Sequence, residues 1–129
     1  MSVDNVELVR GAYEQFNSGQ EAPLSALDEA VEWHTAADLP NSDVHRGHAG
    51  VRALIDDWVG SFEHFAADVE EYIDRGDYVV VPLVLRGRMA GGDEVSLPET
   101  HVWRVRDGLV VEVREYRTLE LALEALEAA

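Results

Sequence analysis

The sequence predicts an α+β domain in which helices pack against a largely antiparallel sheet. Three observations carry this prediction. The first half of the chain contains apolar residues at helical spacing, the second half contains runs in which apolar and polar residues alternate, and short turn motifs separate those runs. A chain of 129 residues suits one domain with a substantial core, so we expect residues 1–129 to form a single domain.

The composition narrows the functions that the chain can have. It carries 26 acidic residues against 10 basic ones, and the net charge of −16 argues against binding to a nucleic-acid backbone. Because the chain has no cysteine, disulfide and thiolate chemistry is excluded. No apolar run is long enough to span a membrane, and the N-terminus lacks the apolar core of a signal peptide. We therefore expect a cytoplasmic protein that binds neither nucleic acid nor membranes.

Helices are predicted for most of the first half. The first is expected to end near Gly19, and a short second helix is predicted at "APLSALDEA", with Pro23 in its first turn. A short strand is predicted at "VEWH", followed by a polar loop, "TAADLPNSDVHRG", that we interpret as a lid over a pocket. A third helix is predicted from about His48 to Phe65. The apolar faces of the two long helices comprise Val6, Val9, Tyr13 and Phe16 in the first, and Val51, Leu54, Ile55, Trp58, Val59 and Phe62 in the third.

Strands are predicted for the second half. Two of them are separated at Arg75-Gly76-Asp77, and two more meet at Asp107-Gly108. Pro82 and Pro98 each interrupt the hydrogen-bonding pattern of a strand, so each predicts an edge or a bulge. A short amphipathic helix is predicted at the C-terminal "TLELALEALEAA".

The last hairpin, "ETHVWRVRDGLVVEVREYR", determines which side chains face the core. A two-residue turn at Asp107-Gly108 would place His101 opposite Arg114 and would mix apolar and polar residues on both faces. A three-residue loop with Gly108 in a bulge separates the two kinds of residue, so we predict that register. The inward face then carries Glu99, His101, Trp103, Val105, Leu109, Val111, Val113 and Glu115, and the outward face carries Val102, Arg104, Arg106, Val110, Glu112, Arg114 and Tyr116.

Three ionisable groups meet at the open end of this inward face. In the predicted register Glu99 lies opposite Glu115, with His101 diagonal to Glu115. Two ionised carboxylates in opposed positions destabilise a strand pair. We expect relief from a raised carboxyl pKa, from a protonated His101 or from Arg117 turning inward, and each of these favours proton exchange near neutral pH. The alternative is a hydrogen-bonded network that only closes the core.

Five stretches span nearly the whole chain: "LVRGAYEQFNSGQ", "VEWH", "VHRGHAGVRALIDDW", "DRGDYVVV" and "HVWRVRDGLVVEVREYR". In these stretches the sequence resembles the SnoaL-like polyketide cyclases, which belong with the ketosteroid isomerases to the nuclear-transport-factor-two-like superfamily. The resemblance implies a cone-shaped, strongly curved sheet wrapped around about three helices, with an internal pocket. In the cyclases a histidine on the penultimate strand and a catalytic aspartate on the last strand line this pocket. His101 and Glu115 match these positions, with glutamate in place of the aspartate.

Two sister families match these residues less well. Ketosteroid isomerases have a base where this chain has Trp33, a tyrosine near the position of Ala12, and a protonated aspartate at the position of His101. Limonene epoxide hydrolases use an arginine-flanked pair of aspartates, for which only Arg117 would supply a guanidinium in this chain.

The residues and the resemblance together predict a pocket for a small hydrophobic molecule with a carbonyl group, and cofactor-free general acid/base chemistry. Glu115 is the expected acid/base, His101 is expected to orient it or to donate a hydrogen bond, and Glu99 is expected to tune both. The alternatives are a non-catalytic module that binds a hydrophobic ligand and a limonene-epoxide-hydrolase-like hydrolase. The expected pocket residues are Trp33, Trp103, Phe16, Tyr13, Trp58, Phe62 and Arg117, although Trp58 in the middle of a helical stripe also suits core packing.

Two further expectations concern metals and assembly. The histidines and aspartates of residues 34–48 match no zinc-binding pattern, so we expect neither a metal nor a cofactor. The arginines and Tyr116 on the outward face of the last hairpin are residue types favoured at protein interfaces. The resemblance points the same way, and we expect a homodimer through this face.

Overall fold

A computed structural model describes residues 2–40 and 42–128 of the chain. The helices are α1 (Ser2–Gly19), α2 (Gly47–Gly60) and α3 (Leu119–Ala128), and the strands are β1 (Leu27–Thr35), β2 (Asp43–Arg46), β3 (His64–Val69), β4 (Ile73–Arg75), β5 (Tyr78–Arg88), β6 (Glu94–Arg106) and β7 (Leu109–Tyr116). Within the described residues the strands form one curved sheet in the order β2-β1-β7-β6-β5-β3, and β4 also pairs with β5. Neighbouring strands are antiparallel except β1 and β7, which run parallel.

Helices cover both faces of the sheet. The concave face packs against α1 and α2 in the main core, which includes Val9 of α1 and Val51 of α2. The opposite face packs against α3 in a second cluster that includes Val80 and Val102. Alternate residues of a strand point to opposite faces, which is why Val80 belongs to a different cluster from Val79. The predicted α+β cone is confirmed, with the difference that the C-terminal helix α3 lies on the convex side of the sheet.

The segment before the first strand differs from the prediction. The expected second helix is only a 3₁₀ turn at Leu24–Ala26, and β1 begins at the next residue, Leu27. Such a short segment forms too few hydrogen bonds to offset the entropy of helix nucleation. The chain instead enters the sheet, where Val31 and Trp33 are buried on the same face, as the sequence indicated.

Two further boundaries differ on either side of α2. The predicted polar loop contains β2, which pairs with the end of β1 from Thr35↔Asp43 to Glu32↔Arg46. The segment interpreted as a lid is therefore partly an edge strand. Helix α2 ends at Gly60, where glycine disfavours the helix, and Phe65 lies in β3 instead.

Both prolines of the sheet occupy positions where no neighbouring strand needs an N–H group. On β5, Pro82 lies between the residues that pair with β3 and those that pair with β4. On β6, Pro98 lies beyond the end of the pairing with β7, so that side of the strand is an edge. Pro98 therefore lies at an edge, one of the two possibilities predicted for it, whereas Pro82 lies in an interior strand at the gap between β3 and β4.

The last hairpin corrects the predicted register. Asp107 and Gly108 have φ angles of 51° and 78° and form a two-residue turn that pairs Val105 with Val110. A bulge then shifts the pairing by one residue, so His101 lies directly opposite Glu115.

This bulge also exchanges two predicted faces near the turn. Val110 is fully buried in the main core, whereas Leu109 and Val111 lie on the outer side of the sheet. The sequence pattern predicts all three on the opposite faces, because it places the extra residue in the turn. Beyond the bulge, Trp103, Val113 and Glu115 are buried as predicted.

None of the helices within residues 2–40 and 42–128 combines the length and the apolar character needed to cross a membrane.

Candidate active site

Strands β6 and β7 bring three ionisable side chains together on the concave face. Glu99 and His101 are two residues apart on β6 and therefore point to the same side, and the observed register places Glu115 of β7 beside them. His101 Nε2 lies 3.1 Å from Glu99 Oε1 and 3.9 Å from Glu115 Oε2. His101 and Glu115 are only 2% and 6% exposed. The three side chains thus lie together as the sequence predicted, with His101 and Glu115 buried and Glu99 partly exposed.

A chain of hydrogen bonds holds the His101 imidazole from the side of α1. The Trp103 indole N–H donates to the Tyr13 hydroxyl oxygen over 2.8 Å, and that oxygen lies 2.8 Å from His101 Nδ1. Because an indole only donates, Tyr13 keeps its own proton for Nδ1. The proton of a neutral His101 is then on Nε2, from which it is donated to Glu99.

The hydroxyl of Tyr13 is suited to this role because it stays protonated. Burial raises the pKa of Tyr13 well above its ordinary value, and the hydrogen bond from Trp103 opposes the rise without cancelling it. A hydroxyl that cannot ionise at physiological pH donates permanently, so it selects one tautomer of His101.

Glu115 is a buried carboxyl that titrates near neutral pH. Burial is the largest influence and raises the pKa of Glu115 to about 7. The charge of Glu99 adds to the rise, whereas His101 and a 2.7 Å hydrogen bond from the Trp33 indole N–H oppose it. The sequence suggested three ways to reduce the repulsion between the two carboxylates, and of these the structure supports a raised carboxyl pKa. Such a group can both take up and release a proton at physiological pH.

Arg117 does not enter the site. Its guanidinium binds the carboxylate of Asp38, in the loop after β1, and its side chain is 64% exposed. Its backbone N–H also donates to Asp38 Oδ1 over 3.2 Å. Asp38 thus holds this arginine away from Glu115, but Arg117 lines a separate hollow of about 430 Å³ that Glu99 also borders, so its assignment to a ligand pocket stays a prediction.

Two hollows adjoin His101 or Glu115, and a third, of about 430 Å³, borders Glu99 and Arg117. The inner hollow, of about 30 Å³, lies against His101 and Trp103 and has room for about one water molecule. The outer pocket, of about 490 Å³, reaches Glu99 and Glu115 and is large enough for a small organic molecule. The two share Trp58, Phe65 and Leu85 as lining residues.

The predicted pocket residues other than Arg117 line the inner hollow or the outer pocket. Trp58 is half-buried, so it both packs against the core and lines the two hollows. Phe65 and Asp57 also line these hollows, although the sequence pattern does not predict them as pocket residues. The alternation of buried Phe65 and Ala67 along β3 could have revealed the first, whereas no local pattern marks Asp57. Tyr13, Phe16, Trp33 and Trp103 line the inner hollow, and Phe62 lines the outer pocket.

The ionisable cluster could also hold a divalent cation. The ligand atoms of Glu99, His101 and Glu115 all lie within 4.8 Å of one another, and carboxylates with an imidazole are ordinary metal ligands. A second group of this composition, Glu32, His34 and Glu112, lies on the outer face, where Arg114 already binds Glu112 through two hydrogen bonds. The expectation that no metal is needed stays a prediction, which a chelator tests below.

A family model described as SnoaL-like domain matches residues 9–113. The chain belongs to the SnoaL-like domain family. The match includes Tyr13, His101 and Trp103 but ends before Glu115.

Solved structures share the fold over almost their whole length. TerC co-crystallised with polyporic acid superposes with a TM-score of 0.76 at 23% identity, over 98% of this chain and 99% of that one. Bal32a, from a soil-derived mobile gene cassette, has a TM-score of 0.78 at 24% identity, over 96% of each chain. A protein from Catenulispora acidiphila with a ketosteroid isomerase-like fold, in complex with trimethylamine, has a TM-score of 0.74 at 15% identity, over 88% of this chain and 86% of that one.

At these identities the likeness concerns the fold. Among curated proteins none is significantly similar to the chain in sequence. Family and fold together support a small-molecule-binding domain of the cyclase or isomerase type.

Proposed function

We propose that this SnoaL-like domain catalyses proton transfer next to a carbonyl group of a small hydrophobic molecule, without a cofactor. The observation that carries the proposal is Glu115, a buried carboxyl whose pKa is raised to about 7, at the wall of a pocket of about 490 Å³. Two proteins of the same fold were crystallised with small molecules, polyporic acid and trimethylamine, which supports the use of this pocket for a ligand.

The geometry gives each group of the cluster a separate task. Glu115 removes a proton from the carbon beside the carbonyl, and the electrons of that C–H bond move to the carbonyl oxygen to give an enolate. The Nε2–H of His101 is shared between that oxygen and Glu99, whose carboxylate holds the imidazole in place. Return of the proton to another carbon gives an isomer. Alternatively, attack of the enolate carbon on a second carbonyl closes a ring, and the resulting alkoxide takes the proton back from Glu115.

A non-catalytic ligand-binding module is the alternative, because it would use the same pocket without proton transfer. Epoxide hydrolysis of the limonene type is less well supported. It needs a guanidinium beside the acidic pair, and Arg117 is bound to Asp38 instead.

An exchange assay tests the proposal without knowledge of the natural substrate. We expect the protein to accelerate the exchange of the α-hydrogens of β-tetralone with D₂O, measured by NMR. The rate should rise with pH through about 7, because only the ionised form of Glu115 is a base. Treatment with EDTA should leave the rate unchanged.

Each other result has a distinct meaning for this proposal. Binding of β-tetralone, detected by tryptophan fluorescence, without any exchange above the buffer rate would favour the non-catalytic module. Loss of exchange in EDTA would contradict the cofactor-free mechanism and would favour a metal at the Glu99, His101 and Glu115 cluster.

We also propose a homodimer through the outer face of β1, β6 and β7. Helix α3 covers Val102 and Tyr116, so the open part of this face is smaller than the sequence predicted. What is left is a shallow hollow of about 370 Å³, lined by arginines and carboxylates together. Within the described residues Arg114 is bound to Glu112, whereas Arg104 and Arg106 have no ion pair. A two-fold axis would let these arginines meet acidic residues of the second copy.

Sedimentation at micromolar concentration tests this assembly. We expect a dimer for the wild type and a 14.3 kDa monomer for the double variant Arg104→Glu/Arg106→Glu. The matched control is Arg52→Glu, which reverses the charge of an exposed arginine on α2 and should leave the dimer intact. A monomeric wild type, or a dimer that survives the double substitution, would reject this interface.

A further inference from the structure

The outer pocket is acidic. Four of its lining side chains are carboxyl groups, those of Asp43, Asp57, Glu99 and Glu115. Among the described residues no arginine or lysine lines it, and His45 is its one basic side chain. A pocket for an anion would need the opposite arrangement of charge.

The same pocket has aromatic walls. Trp58, Phe62 and Phe65 line it, and the rings of Phe62 and Phe65 are stacked with their centroids 5.2 Å apart. The Trp58 ring lies 6.1 Å from that of Phe65. The face of an aromatic ring is electron-rich and attracts cations, and the attraction is strongest where water is excluded. Aromatic walls therefore add to the effect of the carboxylates.

Within the described residues no arginine or lysine is paired with the carboxyl groups of this pocket, although Glu99 is hydrogen-bonded to His101, and Asp43 and Asp57 are exposed to solvent. Within the described residues the side chains of Asp43 and Asp57 have no hydrogen-bond or ion-pair partner. The Glu115 carboxyl is more than nine-tenths buried, and only one of its two oxygens accepts a hydrogen bond, from Trp33. The cation that the sequence placed here, Arg117, lies outside.

We propose that the pocket binds a hydrophobic cation, an organic ammonium ion whose charged group lies among Asp57, Glu99 and Glu115. This inference rests on the pocket being the ligand site proposed above, and it adds the chemical class of the ligand. A neutral molecule of the same shape would take water from these carboxylates without supplying an opposite charge. A bound ammonium ion supplies that charge, and its apolar part lies against Trp58 and Phe62.

Three probes of similar shape and different charge test the inference. They are phenyltrimethylammonium, its neutral isostere tert-butylbenzene, and the anion benzenesulfonate, with binding measured by tryptophan fluorescence at about 0.15 M salt. We expect the cation to bind about tenfold more tightly than the neutral isostere or better, and the anion not to bind.

Two matched variants on α2 distinguish cation binding in the pocket from nonspecific attraction of the cation to a chain with net charge −16. Asp57→Asn removes a lining carboxylate and should weaken binding of the cation by about three- to tenfold while leaving tert-butylbenzene unaffected. Asp56→Asn removes the same charge from the neighbouring exposed residue, which does not line the pocket, and should change neither affinity.

Three results would overturn the inference. Equal affinity for the cation and the neutral isostere would reject the ammonium ligand and would leave the pocket itself supported. Equal effects of Asp56→Asn and Asp57→Asn would mean that only the net charge attracts the cation. Failure of all three probes and of β-tetralone to bind would reject the ligand pocket together with the proposed function.

Discussion

Glu115→Gln is expected to slow the exchange of β-tetralone α-hydrogens by about 10²–10⁴-fold, the usual contribution of a positioned acid/base group. Glutamine keeps the length of the side chain and can still accept the hydrogen bond from Trp33, but it cannot take up a proton. Exchange measured by NMR at pH 8, where the wild-type carboxyl is ionised, gives the largest difference between the two proteins.

Two further variants make this result specific. Glu115→Asp keeps a carboxyl group but withdraws it by one methylene, so its rate should lie between those of the wild type and Glu115→Gln. Glu29→Gln changes an exposed glutamate and should have the wild-type rate. A Glu115→Gln variant that exchanges as fast as the wild type would remove Glu115 from the mechanism.

The same substitution should stabilise the folded protein above neutral pH. Burial raises the pKa of Glu115 from its ordinary value of 4.5 to about 7, so between these values the folded state holds the proton more tightly than the unfolded state does. The contribution of Glu115 to stability is therefore complete below about pH 4.5 and is lost as the pH rises through about 7. Glutamine does not titrate and avoids this loss.

Thermal unfolding of both proteins as a function of pH measures this effect. The unfolding temperature of Glu115→Gln, relative to the wild type, should increase between pH 4.5 and about 7 and should then stay constant. A difference that does not change with pH would mean that Glu115 is not protonated in the folded state. An increase over this pH range, together with slow exchange in Glu115→Gln, would show that Glu115 is unfavourable for folding and needed for catalysis.

Tyr13→Phe is expected to lower the free energy of unfolding by about 1–3 kcal/mol for each buried group that it leaves unpaired. Those groups are the Trp103 indole N–H and His101 Nδ1, both of which contact the Tyr13 hydroxyl at 2.8 Å. Urea unfolding measures the loss. The matched control is Tyr72→Phe, because the Tyr72 ring lies 6.2 Å from that of Tyr13 and its hydroxyl makes no hydrogen bond within the described residues. Its effect should stay within about 0.5 kcal/mol.

Tyr13 is also expected to act on catalysis as a positioning residue. Without the Tyr13 hydroxyl, Nδ1 of His101 has no hydrogen-bond donor beside it, so the Nε2–H tautomer is no longer favoured over the Nδ1–H tautomer. The nitrogen NMR shifts of His101 should then move from those of the Nε2–H tautomer towards those of a mixture, and the exchange rate should fall. Unchanged nitrogen shifts with a loss of stability alone would limit Tyr13 to a structural role.

The ionisable cluster was predictable because a sheet has a side-chain period of two. The predicted pairing of Glu99 with Glu115 differs from the observed pairing of His101 with Glu115 by two residues along β6. A shift of two residues keeps every side chain on its face, so the residues beyond the bulge that were predicted to point inward do so despite the wrong pairing. Near the turn the difference is one residue, and there Val110 and Val111 exchanged faces.

By itself the sequence determined the α+β class, the two long helices and the face of the sheet on which Glu99, His101 and Glu115 meet. Local periodicity carries these features, because each depends on residues close together in the chain. The tertiary structure alone decided that Tyr13 binds His101, 88 residues away, and that Arg117 binds Asp38, 79 residues away. These contacts depend on how helices and loops pack onto a curved sheet, which no local pattern encodes, and they set which nitrogen of His101 is protonated and leave the pocket acidic.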